Sequence, residues 1–153
     1  MNTQTLEHMK QLRLYGMYRA FEGSLLPQNT NLYTNDELIA YLLQSEWDDR
    51  QNRKIERLTK AAHFRYSAVI EAIDYDASWC LDKNQIQRFS SCNFIAQKQN
   101  ILITGSTGAG KSYMASAIGH QACSLGYKVM YFNTNKLFTM LKTSKADGSY
   151  LKQ

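Results

Sequence analysis

The sequence predicts an α/β protein in two parts: a helical N-terminal domain over residues 1–68, then a linker and a truncated phosphate-loop parallel α/β domain over residues 69–153. Three observations lead there. Apolar residues in the first half recur at helical spacing. The second half carries Gly105-Ser106-Thr107-Gly108-Ala109-Gly110-Lys111-Ser112, a complete G-x-x-x-x-G-K-[ST] loop. That loop stands between a short apolar run and a helix-forming run, the context in which it binds phosphate.

Taken in order, Leu6, Met9, Leu12, Tyr15, Tyr18 and Phe21 fall at three-residue steps with Lys10, Arg13 and Arg19 between them, which predicts one amphipathic helix of about five turns. It breaks across Gly23 to Asn31, where Pro27 is the only proline. A second helix opens on a capping box, Thr34 with Glu37, flanked by Tyr33 and Leu38 as a hydrophobic staple. Leu38, Ile39, Leu42, Leu43 and Trp47 continue its stripe into Ile55, Leu58 and Ala62, as one long helix or two in line.

The stretch from Tyr66 to Asn100 reads as a connecting segment. Ile73, Tyr75 and Trp79 have the character of packed residues, and Asp82 with Gln85 can cap a short helix bearing Ile86 and Phe89. Phe94 and Ile95 lead to a first strand, Ile101–Thr104; the helix after the loop, Tyr113 to Ser124, is closed by Gly126, and Lys128–Phe132 reads as a second strand. Such a linker passes close to where a nucleotide base would lie, so one of its apolar residues is a candidate adenine contact.

Each loop residue type answers a need of phosphate binding. Glycines at 105, 108 and 110 permit backbone angles that turn successive N–H groups inward as an anion nest. The following helix adds unpaired amides and the positive end of its dipole. Lys111 would reach the β- and γ-phosphates, and the Ser112 hydroxyl would hold Mg²⁺, a hard cation that prefers oxygen. Thr107 and Ala109 line the loop without a required side-chain role. ATP with Mg²⁺ is therefore the expected ligand. Hydrolysis also needs an acid on a second apolar strand. None is found: Lys128–Phe132 leads into Asn133-Thr134-Asn135, and Asp147, in the turn Lys145–Ser149, is the sole carboxylate after Lys111. No catalytic residue is assigned, and the nucleotide domain is expected to be unfinished.

At 153 residues, 44% hydrophobic and 20% charged, the composition is that of a globular chain. No apolar run reaches the length of a membrane span, and Met1–Glu7 lacks a secretion signal, which predicts a cytoplasmic protein. Cys80, Cys92 and Cys123 are odd in number with no C-x-x-C spacing, so reduced packing cysteines are expected; His8, His63 and His120 form no ligand pair.

Charge is concentrated. Residues 50–65 hold Arg50, Arg53, Lys54, Arg57, Lys60 and Arg65 against Glu56 alone, a surplus equal to the +5 of the whole chain. At helical pitch Arg50, Arg53, Lys54, Arg57 and Lys60 fall within an arc of about 120°, apart from Trp47, Ile55, Leu58 and Ala62, whose arc can face a core. Such a stripe suits a nucleic-acid phosphate backbone or a solvated face partly neutralised by Glu46 and Asp49.

The helix Gln51–Leu58, the step Ala61-Ala62-His63-Phe64, the segment Ile73-Asp74-Tyr75-Asp76, the phosphate loop and Gly126-Tyr127-Lys128-Val129 together resemble the IstB-like ATP-binding proteins, AAA+ ATPases that assist insertion-sequence transposition and are related to the DnaC helicase loaders. The resemblance covers nearly the whole chain. It implies ATP with Mg²⁺, self-assembly on duplex DNA, a transposase partner and DNA contact by the basic stripe or nearby surface. Ser106 stands where a proline is common, a change the backbone nest tolerates. Family members continue further and carry the metal-organising acid, a polar sensor and an arginine finger, none of which transfers here. In the family's sheet later strands lie between the loop strand and the next in sequence, so Ile101–Thr104 and Lys128–Phe132 would have exposed edges. Two other readings stand beside transposition: a helicase loader, distinguished by a helicase and single-stranded DNA as partners, and a small-molecule kinase, which would need lid arginines after the loop where this chain has none.

Overall fold

Where each helix stops depends here on side chains and left-handed residues as much as on hydrophobic periodicity. The computed structural model describes residues 2–26, 33–75 and 82–148. The expected features at Pro27, Asn31, Asp76, Trp79, Cys80 and Ser149 lie outside the described residues. The chain divides into two compact units, Met1–Arg57 and Leu58–Gln153.

In the first unit the expected single helix is two, α1 (Asn2–Gln11) and α2 (Tyr15–Ser24). Arg13 takes the left-handed conformation, φ 58°. The Arg13 N–H donates to Lys10 C=O at 3.0 Å and the Leu14 N–H to Met9 C=O at 2.8 Å, the paired bonds of a Schellman ending. An arginine rather than a glycine occupies the special position, so no turn residue marked the break. The third helix, α3 (Asn35–Ala62), is continuous over 28 residues. Its capping box forms: Thr34 N–H donates to Glu37 Oε2 at 2.8 Å and Glu37 N–H to Thr34 Oγ1 at 3.4 Å. These bonds hold the Glu37 carboxyl below its ordinary pKa, so its support of the helix start is present above the usual carboxylate range and is lost as pH falls through the lowered value. Tyr33 stacks on Tyr41 at 5.4 Å.

The start of α2 has no cap of its own. Glu46 of α3, buried at 6% exposure, supplies one: its Oε2 accepts from the Gly16 N–H at 2.9 Å and the Met17 N–H at 3.2 Å. The bond requires close approach of the two helices. A Cβ on Gly16 would lie 2.3 Å from the Ser45 carbonyl oxygen and 2.8 Å from Glu46 Cα. Gly16→Ala is therefore expected to destabilise the first unit by about 1–3 kcal/mol, the range for forced overpacking. Urea unfolding checks this, and a midpoint equal to wild type contradicts the packing. The stripe of α3 departs from expectation at Ile39, Leu43 and Trp47, all exposed, whereas Ile55 and Leu58 are half-buried and Ala62 is buried.

The second unit packs on α6 (Lys111–Ser124). Its core joins Ala68, Ile70 and Ile73 from the connecting segment, Ile86 from α4 (Lys83–Ser90), and Ala117 and Ile118 from α6, with Phe89, Phe94, Ile101 and Ile103 against them. Asp82 caps α4 as predicted, its Oδ1 accepting from the Asn84 N–H at 2.9 Å. A single 3-10 turn, Ile70–Ala72, a short α5 (Asn93–Ala96) and α7 (Thr134–Ala146), which begins just past the end of the expected second strand, add to the elements that the sequence predicts. Asn133 is its cap, accepting from the Asn135 N–H at 3.1 Å. Gly126, φ 88°, ends α6 as expected. Cys92 and Cys123 are buried free thiols, and burial pushes both above the ordinary thiol pKa.

The α/β prediction, with its parallel sheet, is corrected: among the described residues there is no strand, and all regular structure is helical. Ile101–Thr104 keeps an alternating pattern, Ile101 and Ile103 half-buried against the core and Leu102 88% exposed. A strand, however, is made by a ladder of bonds to a neighbour, and neither this segment nor 128–132 has one. The Tyr131 N–H is satisfied instead by the Ala62 C=O at the end of α3, at 2.9 Å.

Candidate phosphate-binding site and basic surface

The loop residues Gly105, Ser106, Thr107, Gly108, Ala109, Gly110, Lys111 and Ser112 are brought together at the start of α6. Gly108 and Gly110 have φ of 85° and 75°. A Cβ at either would meet nothing within 4 Å, so glycine is needed for its backbone angle rather than for space. The Ala109 N–H donates to Ser106 C=O at 3.3 Å and the Gly110 N–H to Gly108 C=O at 2.9 Å, which closes the loop tightly. Gly110 caps α6 without a side chain, leaving the amides of Lys111, Ser112 and Tyr113 without partners inside the helix.

Lys111 is half-buried and folds back so that its Nζ donates to Ser106 C=O at 2.5 Å. The ammonium thus lies over the loop. The Ser112 hydroxyl is exposed, and its backbone C=O is taken by Ser116 Oγ at 2.8 Å. The donors gathered here are the helix-start amides of Lys111, Ser112 and Tyr113, one cation and a hydroxyl, with no carboxylate in the loop itself, a set whose chemistry suits phosphate oxygens. A hydroxyl oxygen also suits Mg²⁺, which keeps several waters and needs few protein ligands. Among the described residues no His, Cys, Asp and Glu cluster could hold a metal by itself.

Beside the loop is a hollow of about 270 Å³, lined by Ala72, Ile73 and Asp74 of the connecting segment and by Ala109, Gly110, Tyr113 and Met114. The connecting segment is the stretch in which the sequence leads one to expect an adenine contact, without choosing a residue. The structure brings Ile73 and Tyr113 to the lining of a space beside the loop. The core of the second unit fixes both, since Ile73 is buried in it and Tyr113 packs against it.

The basic residues Arg50, Arg53, Lys54, Arg57 and Lys60 are all exposed on α3, but they are not equivalent. Arg50 Nε donates to Glu46 Oε1 at 2.7 Å. Arg53 Nε lies 2.7 Å from Asp49 Oδ2, a charge contact without hydrogen-bond alignment, and its guanidinium stands 5.5 Å over the Tyr15 ring. Arg19 also pairs with Asp49. Arg50 and Arg53 are therefore partly spent inside the unit, as the two carboxylates suggested. Lys54 and Arg57 make no ion pair among the described residues. They line a concave surface with Leu12, Arg13, Arg50 and Arg53. Arg13 belongs to this surface because the left-handed turn after α1 presents it there, a placement that helical periodicity could not show.

Comparison with known proteins gives a consistent result. The profile of the IstB-like ATP binding protein family matches residues 7–153. A protein of Pseudomonas fluorescens, named as an ATP-binding protein of insertion sequence IS1162, is 38% identical over 98% of this chain and 65% of its own length. An insertion sequence ATP-binding protein of Sinorhizobium fredii, y4pL, is 32% identical over 95% of this chain and 60% of its own. One from Geobacillus stearothermophilus, of insertion sequence IS5376, is 28% identical over 96% and 59%. The chain thus spans less than two thirds of the length of these relatives.

Proposed function

The chain belongs to the family of IstB-like ATP-binding proteins, and from that premise we propose that it is an ATP-binding helper of DNA transposition, holding ATP with Mg²⁺ at Gly105–Ser112 and engaging DNA and a transposase. The observation that carries the reading is the glycine-shaped nest at the start of α6 with the Lys111 ammonium drawn over it. The phosphates would take the amides and Lys111, the Ser112 hydroxyl would hold the metal, and the base would enter the hollow that Ile73 and Tyr113 line. DNA lies along the basic surface of α3, self-assembly presents several such surfaces to it, and the protein works in the cytoplasm. Among the described residues no helix is long and apolar enough to cross a membrane. The names of the relatives, all of insertion sequences, favour transposition over helicase loading.

The base hollow gives a test that separates nucleotide from plain polyphosphate. Tyr113→Ala is expected to weaken ATP·Mg²⁺ binding about tenfold, the loss of one well-buried aromatic contact of about 1–1.5 kcal/mol, while tripolyphosphate affinity stays within twofold of wild type. Isothermal titration with both ligands checks it. Equal losses for the two would place Tyr113 in the support of the nest and leave the base elsewhere.

Hydrolysis is a separate matter. With no acid assigned beside the attacking water's position, this 153-residue chain is expected to show no steady phosphate release from ATP. Turnover that disappears in Lys111→Ala would contradict this, and Asp74, at the edge of the hollow, and Asp147 would become the acids to replace.

A further inference from the structure

A second cation-lined cleft lies in the unit Leu58–Gln153, formed by residues that neither the loop nor the α3 stripe uses. It has a volume of about 430 Å³ and is lined by His63, Arg65, Tyr131, Asn133 and Lys136. We propose that this cleft is a binding site for phosphate groups, distinct from the nest at Gly105–Ser112.

Its walls are built rather than incidental. His63 ends α3 in the left-handed conformation, φ 54°, and turns the following residues across the start of the segment 131–133. The Tyr131 N–H to Ala62 C=O bond, 2.9 Å, ties the two walls together. Phe64 stacks on His120 at 4.2 Å, and a His120 ring nitrogen lies 3.2 Å from the Tyr66 C=O, so the 63–66 segment is held from behind. The Arg65 guanidinium stands 5.3 Å over the Tyr66 ring, a contact with the ring face that does not use up its N–H donors.

The chemistry of the lining is one-signed. Arg65 and Lys136 are cations, the His63 imidazole and the Tyr131 hydroxyl can donate, and no carboxylate lines the cleft. Asn133, which lines the cleft, is the cap of α7 and takes the Asn135 N–H, so the start of that helix and the positive end of its dipole stand beside the cleft. Two cations beside hydroxyl and amide donors suit a phosphate better than a carboxylate-bearing small molecule, because phosphate offers more acceptor oxygens around one centre. The phosphate has two sources of the same chemistry: the backbone of DNA, or a free polyphosphate.

The test uses the full isotope-labelled chain with sodium pyrophosphate as probe, in a Lys111→Ala background that removes the main cation of the other site. Expected are saturable shifts of the Thr134, Asn135 and Lys136 amides, and an affinity at least tenfold weaker after Arg65→Gln with Lys136→Gln. The charge-keeping pair Arg65→Lys with Lys136→Arg should restore most of it. A second arm measures a short duplex at several salt concentrations. A slope of log K against log salt that becomes shallower by about two contacts in the glutamine pair assigns the site to DNA. An unchanged slope with lost pyrophosphate binding assigns it to free polyphosphate. Absence of shifts at 134–136 in the Lys111→Ala background overturns the proposal, as does an unchanged affinity in a glutamine pair that keeps its core resonances.

Discussion

Lys111→Ala is expected to lower ATP·Mg²⁺ affinity by at least tenfold and to do so without unfolding the chain. Lys111 is half-buried and its ammonium is held over the loop by the Ser106 carbonyl. It is the one cation within the nest sequence Gly105–Ser112. Charge-assisted hydrogen bonds to phosphate are worth about 1.5–3 kcal/mol each, and one such bond accounts for a tenfold change or more. Stability should move little, because the bond that is lost is an exposed side-chain to backbone contact. Isothermal titration measures the first effect and thermal unfolding the second. Unchanged affinity with an intact fold would remove Lys111 from the site.

The second large effect concerns DNA, and the ion pairs of α3 sharpen it. Lys54→Gln with Arg57→Gln removes two cations that make no ion pair among the described residues. Duplex binding should weaken for all sequences alike, and the salt slope should fall by about two contacts' worth. Arg50→Gln with Arg53→Gln should behave differently. These two compensate Glu46 and Asp49, whose side chains are only 8% and 15% exposed. Their loss should cost about 1–2 kcal/mol of stability, between the exposed and the buried limits for ion pairs. Anisotropy with a labelled duplex and urea unfolding of both double variants separate the roles. Equal salt slopes for wild type and Lys54→Gln/Arg57→Gln would return the stripe to a solvated face.

What the sequence made legible were features whose cause is local. The Thr34 and Glu37 box, the Asp82 cap and the Gly126 ending each depend on residues within a few positions of one another, as do the left-handed angles of Gly108 and Gly110 just before the start of α6. The failures have the opposite origin. Arg13 adopts a glycine-like angle with no glycine to announce it, so periodicity alone predicts one five-turn helix where two helices meet. Glu46 looked like a partner for basic neighbours, yet its buried oxygen also caps α2 from thirty residues away. Ile101–Thr104 and Lys128–Phe132 carry apolar runs that report burial on one side, whereas a strand needs bonding partners that a sequence window does not contain. For the same reason the apolar stripe through Trp47 overstated what faces a core.

The central claim is that Gly105–Ser112 holds the phosphates of ATP. It is tested most directly by following the backbone amide resonances of the chain during titration with ATP·Mg²⁺. The account predicts saturable changes at one site per chain, largest at Gly108, Gly110, Lys111 and Ser112, with smaller ones at Ile73 and Tyr113. Titration to millimolar ATP without change at the loop amides, or with changes confined to other surfaces, would contradict it.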